Sequence, residues 1–273
     1  MTAPFGRRAV TITARETHGA YIVLSAHDPT GPAPRAGQFY MLAAAQRWGG
    51  GEGERPFLPR AFSVLRAPER GLHFMIEDVG PGTNRLCELE AGEKLLLVGP
   101  LGNGFTRPRG GREPLLVGGG VGVAPLAIWQ DELGSDTKAL VGFRDAEHAA
   151  GALLLANPSV ATDDGSVGHH GLITELLEAE LDGRAGALEV YACGPPAMLE
   201  AVRAMCVDRG VPAQLALESG MACGFGACFG CVVPTVDGYI RLCLDGPILE
   251  AGKLADASFL GSSAGAELPG AAR

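Results

Sequence analysis

The residues best equipped for chemistry lie in one short stretch, "MACGFGACFGC" (221–231), where Cys223, Cys228 and Cys231 are interleaved with glycines and followed later by Cys243. The spacing is C-x4-C-x2-C-x11-C. Its first part matches the plant-type arrangement for a [2Fe–2S] cluster, whose fourth thiolate comes from further along the chain. Gly224, Gly226 and Gly230 let backbone N–H groups approach the sulfurs, which tunes the potential of such a centre. Structural zinc is the second reading, although it usually takes cysteines in two close pairs and Cys243 has no cysteine near it. A disulfide pair is the third, and a reducing compartment argues against it. Cys87 and Cys206 read as small buried hydrophobes, whereas Cys193 stands in a glycine–proline loop. The adjacent His169 and His170 fall in a loop and read as solvated.

Two further segments suit a nucleotide. "VGGGVGVAP" (117–125) carries Gly118, Gly119, Gly120 and Gly122 where a strand hands over to a helix. Glycines there let backbone approach a phosphate, and the helix start supplies N–H donors. The spacing is not that of the GxGxxG fingerprint. "ACGPPAM" (192–198), with Cys193, Gly194 and Pro195, also joins a strand to a helix. Two such loops at strand ends of one open sheet would face a single crevice. Earlier, "RAFS" (60–63) offers the Arg60 guanidinium for a phosphate and the Ser63 hydroxyl, with Ala61 and Phe62 between them. "GPGT" (80–83) adds Gly82 and Thr83 as a small anion nest. Taken singly, these last two also read as a strand arginine and an ordinary turn.

The elements that must position these groups fall into two kinds. Six short apolar stretches at 9–14, 20–26, 38–44, 61–65, 72–77 and 94–99, separated by glycine and proline, predict a small closed antiparallel barrel. Residues 46–56, "QRWGGGEGERP", read as an exposed loop. Beyond Arg112, strands at 139–143, 159–162, 188–194 and 213–219 alternate with helical runs at 171–181 and 195–210, which predicts a doubly wound parallel sheet. From Ala251 the chain is expected to be a loose tail. The 273 residues carry a formal net charge of −9, which disfavours nucleic acid as a partner. No hydrophobic run has the length of a membrane span, and the first residues lack the apolar core of a secretion signal. A cytoplasmic chain is expected, in which seven cysteines suggest metal or redox duty.

Over 36–248, from "AGQFYML" to "CLDGPI", these motifs and their order resemble the electron-transfer subunits of NAD-dependent (type B) dihydroorotate dehydrogenases, a branch of the ferredoxin reductase superfamily. The resemblance implies a FAD-binding barrel over 1–107, an NAD-binding α/β domain over 108–217 and a [2Fe–2S] domain over 218–250. "RAFS" then matches the family's flavin motif as Arg60 and Ser63, and Gly82 and Thr83 match its Gly-Thr pair. Met75, Ile76 and Glu77 would line the flavin through their backbone. "GPLGNGF" (99–105) looks like the family's hinge, and both glycine loops look like its nicotinamide loops. Cys223, Cys228, Cys231 and Cys243 become the cluster ligands. Two features depart from the pattern: Glu77 stands where a basic residue is common, and the loop 46–56 is long.

On this resemblance, a partner FMN subunit oxidises dihydroorotate in pyrimidine biosynthesis, in a heterotetramer of two of each subunit. Electrons pass through the cluster and FAD to NAD+. No acid–base catalyst is required of this chain; Ser63 and Cys193 are the supporting groups. A small subunit of an NAD(P)H-ferredoxin or sulfide/sulfur oxidoreductase is the alternative, and Arg144 and Asp145 in "FRDAEH" leave NAD and NADP both open. A zinc-stabilised nucleotide-binding regulatory module is a third reading; it leaves the two-domain match unexplained.

Overall fold

A computed structural model describes residues 6–49 and 56–255. Most of the expected loop 46–56 and the tail beyond 255 lie outside the described residues.

The first six strands are β1 (Arg8–His18), β2 (Tyr21–His27), β3 (Phe39–Ala44), β4 (Arg60–Ser63), β5 (Gly71–Glu77) and β6 (Lys94–Leu101), with the short helix α1 (Pro81–Cys87) between the last two. They form one antiparallel sheet in the order β4-β3-β6-β1-β2-β5. Just past β4 the sheet closes on itself: Leu65 N–H donates to His73 O and His73 N–H to Arg66 O, both at 2.9 Å. Period-two alternation drives this closure, since one face must be buried. Along β6, Leu95 and Leu97 point inward and are buried, while Lys94, Leu96 and Val98 are more exposed. Tyr40 and Phe74 meet edge to face at 5.6 Å within the barrel.

The second unit comprises β7 (Glu113–Gly119), α2 (Val123–Leu133), β8 (Lys138–Phe143), α3 (Ala146–Ala149), β9 (Ser159–Thr162), β10 (His169–His170), α4 (Ile173–Leu181), β11 (Leu188–Cys193), α5 (Pro196–Asp208) and β12 (Ala213–Ala216). After it come a hairpin of β13 (Val232–Thr235) and β14 (Gly238–Arg241), then α6 (Leu242–Asp245) and β15 (Ile248–Glu250). The large sheet runs β10-β9-β8-β7-β11-β12-β15 and is parallel except for β15. Its two faces are both covered. Leu116 of β7 packs with α2 and the barrel, while Leu115 and Val117 pack with α4 and α5. Stacking of Phe105 on Trp129, with Tyr191 edge-on to Phe105, fills the seam between α2, the sheet and the interdomain connection.

Three expectations change. The tail does not begin at Ala251: Ala251 and Leu254 are buried, and Leu254 bridges to Thr235 of β13. The strand expected over 213–219 stops at Ala216, since Leu217 N–H is taken by Pro247 O at 3.0 Å. His169 and His170 form a two-residue edge strand rather than a loop, with His169 Nε2 2.7 Å from Glu175 Oε2.

Candidate functional site

The cysteine segment leaves the sheet after Leu217 and wraps back against the barrel. Gly224 has φ +77°, and a Cβ there would collide with Met41 of β3, so the loop lies directly on the barrel wall. Leu242 N–H donates to Cys231 O at 3.0 Å, which seats Cys243 beside the third cysteine. Although burial opposes ionisation, N–H groups of Phe225, Cys228 and Ala227 bonded to its sulfur bring the Cys223 thiol down to about 7. Burial, followed by contact with Cys231, pushes the Cys243 thiol up to about 12. Cys223 thus interacts with Cys228, and Cys243 with Cys231 and also with Cys223. Among the described residues, no three metal-ligating side chains gather as a single-ion set. Four thiolates at this C-x4-C-x2-C-x11-C spacing are the donor set of a [2Fe–2S] cluster.

Beside this loop lies a cleft of about 440 Å³ between the barrel and the α/β unit. Arg60, Ala61, Phe62 and Ser63 form one wall, with Met75, Glu77 and Thr83 beside them. The opposite wall holds Glu218 to Met221, the residues leading into Cys223. Arg60 donates to Leu58 O at 2.6 Å and lies over Trp48, and no carboxylate among the described residues pairs with it. A Cβ on Gly82 would come within 2.6 Å of Arg60 Nε, so the missing side chain leaves the guanidinium its place. An uncommitted cation in an acidic chain fits a phosphate. Thr83 behaves differently from a free ligand group. Its hydroxyl accepts from Val79 N–H at 2.8 Å and Gly80 N–H at 3.0 Å, which shapes the turn. Ile76 is wholly in the barrel core, and Met75 is buried at the cleft edge.

A smaller hollow of about 90 Å³ opens off this region and brings Ser63, Cys193 and Glu218 together. Burial, with the Glu218 carboxylate next, pushes the Cys193 thiol well up, so it stays protonated. Glu218 is exposed at the cleft, and the protein mass around it raises its pKa. Sequence reasoning missed Glu218. Its position within an apparent strand concealed it.

The second large cleft, about 420 Å³, opens at the C-terminal ends of β7 and β8. This is where strand order reverses, β8 and β9 lying to one side of β7 and β11 and β12 to the other. Gly119, Gly120 and Pro195 line it, as do Tyr21 and Glu77 from the barrel. Gly118 sits inside the packed strand against Leu126 and Val141, and a Cβ on Gly122 would collide with the Cys193 carbonyl. Gly194 packs against Met198. These three therefore set backbone packing. Arg144 and Asp145 are both engaged: Arg144 pairs with Glu77 and reaches His148 Nε2 at 2.9 Å, while Asp145 accepts from His148 N–H at 3.0 Å. Glu77 lines both clefts and so marks their junction.

Residues 218–255 match the iron–sulfur cluster binding domain of dihydroorotate dehydrogenase B. The electron transfer subunit of dihydroorotate dehydrogenase B (NAD(+)) from Clostridium acetobutylicum is 33% identical over 81% of this chain and 86% of its own length. The corresponding subunit from Geobacillus thermodenitrificans is 38% identical, over 80% and 86%. Among solved structures, an NADH-dependent reduced ferredoxin-NADP oxidoreductase superposes with a TM-score of 0.74 at 25% identity, covering 91% of this chain and 90% of that one. A ferredoxin NADP+ reductase from Neisseria gonorrhoeae, with bound FAD and NADP, shares the fold at a TM-score of 0.61 and 21% identity, over 75% and 92%.

Proposed function

Because the chain belongs to the family of dihydroorotate dehydrogenase B electron-transfer subunits, we propose that it binds FAD and one [2Fe–2S] cluster and passes electrons from a partner FMN subunit to NAD+. The oxidation supplying them is that of dihydroorotate, in pyrimidine biosynthesis, within a cytoplasmic assembly of two of each subunit. One observation carries the reading: the three sites adjoin in the order the transfer needs. The segment ending at Cys223 forms a wall of the Arg60 cleft, and Glu77 belongs both to that cleft and to the glycine-turn cleft. When bound, the cluster carries electrons singly and the flavin exchanges them with nicotinamide as a hydride.

The chain's residues have assignable duties. Cys223, Cys228, Cys231 and Cys243 hold the cluster, and the N–H groups around Cys223 favour its thiolate. Arg60 anchors the flavin phosphates, and Ser63 presents its hydroxyl from the same strand. Gly119, Gly120 and Pro195 receive the dinucleotide. Cys193 stays protonated because it is buried, and Glu218 offers a carboxyl with raised proton affinity beside it.

Aerobic purification of the full chain tests this. Flavin bands with the broad visible absorption of a cluster, about two irons and two sulfides per chain, and NADH-driven dye reduction are expected. Mixed with an FMN-containing partner, the protein should couple dihydroorotate oxidation to NAD+ reduction. A colourless, zinc-loaded protein would overturn the redox reading. Coupling to ferredoxin alone would replace the dihydroorotate step.

A further inference from the structure

Among the described residues, Tyr21 is one of the buried polar groups that the reading above leaves without a duty. It belongs to β2 of the barrel, its side chain is 0% exposed, and its hydroxyl makes no hydrogen bond. Buried hydroxyls are normally paired, so each exception calls for a partner. The ring is held in place. His148 meets it edge-on at 5.7 Å, and a Cβ on Gly151 would stand 3.0 Å from its Cε2. Yet the residue lines the glycine-turn cleft, and a Cβ on Gly120 would be 3.9 Å from the hydroxyl oxygen. Thus a barrel hydroxyl and the phosphate-type turn of the α/β unit converge on one point.

We propose that Tyr21 is a dinucleotide-binding residue supplied by the flavin barrel, whose hydroxyl donates to an oxygen of the NAD diphosphate lying along Gly119 and Gly120. The inference rests on the dinucleotide reading of this cleft. Burial, with Glu77 next, raises the Tyr21 pKa, so the group stays a neutral donor. The nearby carboxylate of Glu77 is already paired with Arg144 and lies 3.4 Å from His148 Nε2. Glu77 and Asp163, as acceptors in the same cleft, suit ribose hydroxyls and not phosphate oxygens. The diphosphate belongs instead at the glycine turn, where the start of α2 contributes its N–H groups and dipole. This contact would make NAD binding depend on both domains.

Titration of the oxidised, FAD- and cluster-loaded full chain with NAD+ and with ADP-ribose tests the assignment. Tyr21→Phe removes one unpartnered oxygen and keeps the ring. The dissociation constants for both ligands should rise about 3- to 10-fold, the value of one neutral hydrogen bond. FAD content should hold, and the ligand-free melting temperature should be unchanged or higher. Tyr40→Phe, a buried barrel tyrosine outside both clefts, should leave both constants as they are. Unchanged constants in Tyr21→Phe, or a weakened constant accompanied by a lower ligand-free melting temperature, would overturn the proposal. Weaker NAD+ with unaffected ADP-ribose would overturn the diphosphate contact. If the unaltered protein bound neither ligand, the dinucleotide reading itself would fail, which is a separate outcome.

Discussion

Gly224 has φ +77° and its missing side chain makes room for Met41 of the barrel. A single alanine there meets two penalties: a left-handed conformation, costing about 1–3 kcal/mol, and a collision with the thioether. The loop would lift from β3 and carry Cys223 with it. Gly224→Ala should therefore lower iron and sulfide content while FAD content stays near that of the parent. Adding Met41→Ala should restore only part of the loss, because the backbone penalty remains. Full cluster content in Gly224→Ala would show that the loop does not depend on this seat. At this scale the sequence spoke unevenly. The four cysteines announce themselves by spacing. Tyr21 and Glu218 do not, since a tyrosine in "AYIVLSA" and a glutamate in "LALES" look like parts of ordinary strands.

The barrel depends on where its last strand closes, and His73 sits at that closure. Its backbone makes both bonds that join β5 to the Leu65–Arg66 segment. Half burial, with the Arg66 guanidinium next, lowers the His73 pKa below its ordinary value. The folded state then binds fewer protons here than the unfolded one. Stability from this group is full above the unfolded pKa, near 6.5, and is lost as pH falls from there toward the folded value. His73→Gln should give a flatter melting-temperature profile between pH 7.5 and 5.5 than the parent. Parallel profiles would remove His73 from the acid sensitivity of the barrel. Elements like β5 and β6 were legible because alternation over six or more residues has one physical solution. The short β10, α6 and β15 were not. Two- to four-residue pieces have no period of their own, and their pairing is decided by neighbours such as Gln214 of β12, which lies opposite Glu250 of β15. The same holds for Ala251 to Leu254, expected as tail, which are held by a bridge to Thr235 of β13.

In the whole molecule, apolar surface collects around the cysteine loop. Phe57 is 70% exposed and Phe225 48% exposed, and both border a hollow of about 400 Å³ with Trp48 and Cys223. Phe229 and Leu244 are exposed nearby in sequence, and Cys228 itself reaches the surface. Exposed aromatics grouped in this way mark an interaction face, and aromatic anchors carry much of the affinity at such faces. In the proposed transfer electrons enter at the cluster, so this face is where the FMN partner is expected to dock. Replacing Phe57 and Phe225 together by aspartate should weaken association with that partner at least about 10-fold. Neither side chain lines the Arg60 cleft or the glycine-turn cleft, so FAD content and NADH-driven dye reduction should persist. Dihydroorotate-driven NAD+ reduction in the mixed system should fall in proportion to lost complex. Retained association with impaired dye reduction would place the partner elsewhere and make these aromatics part of the cofactor architecture.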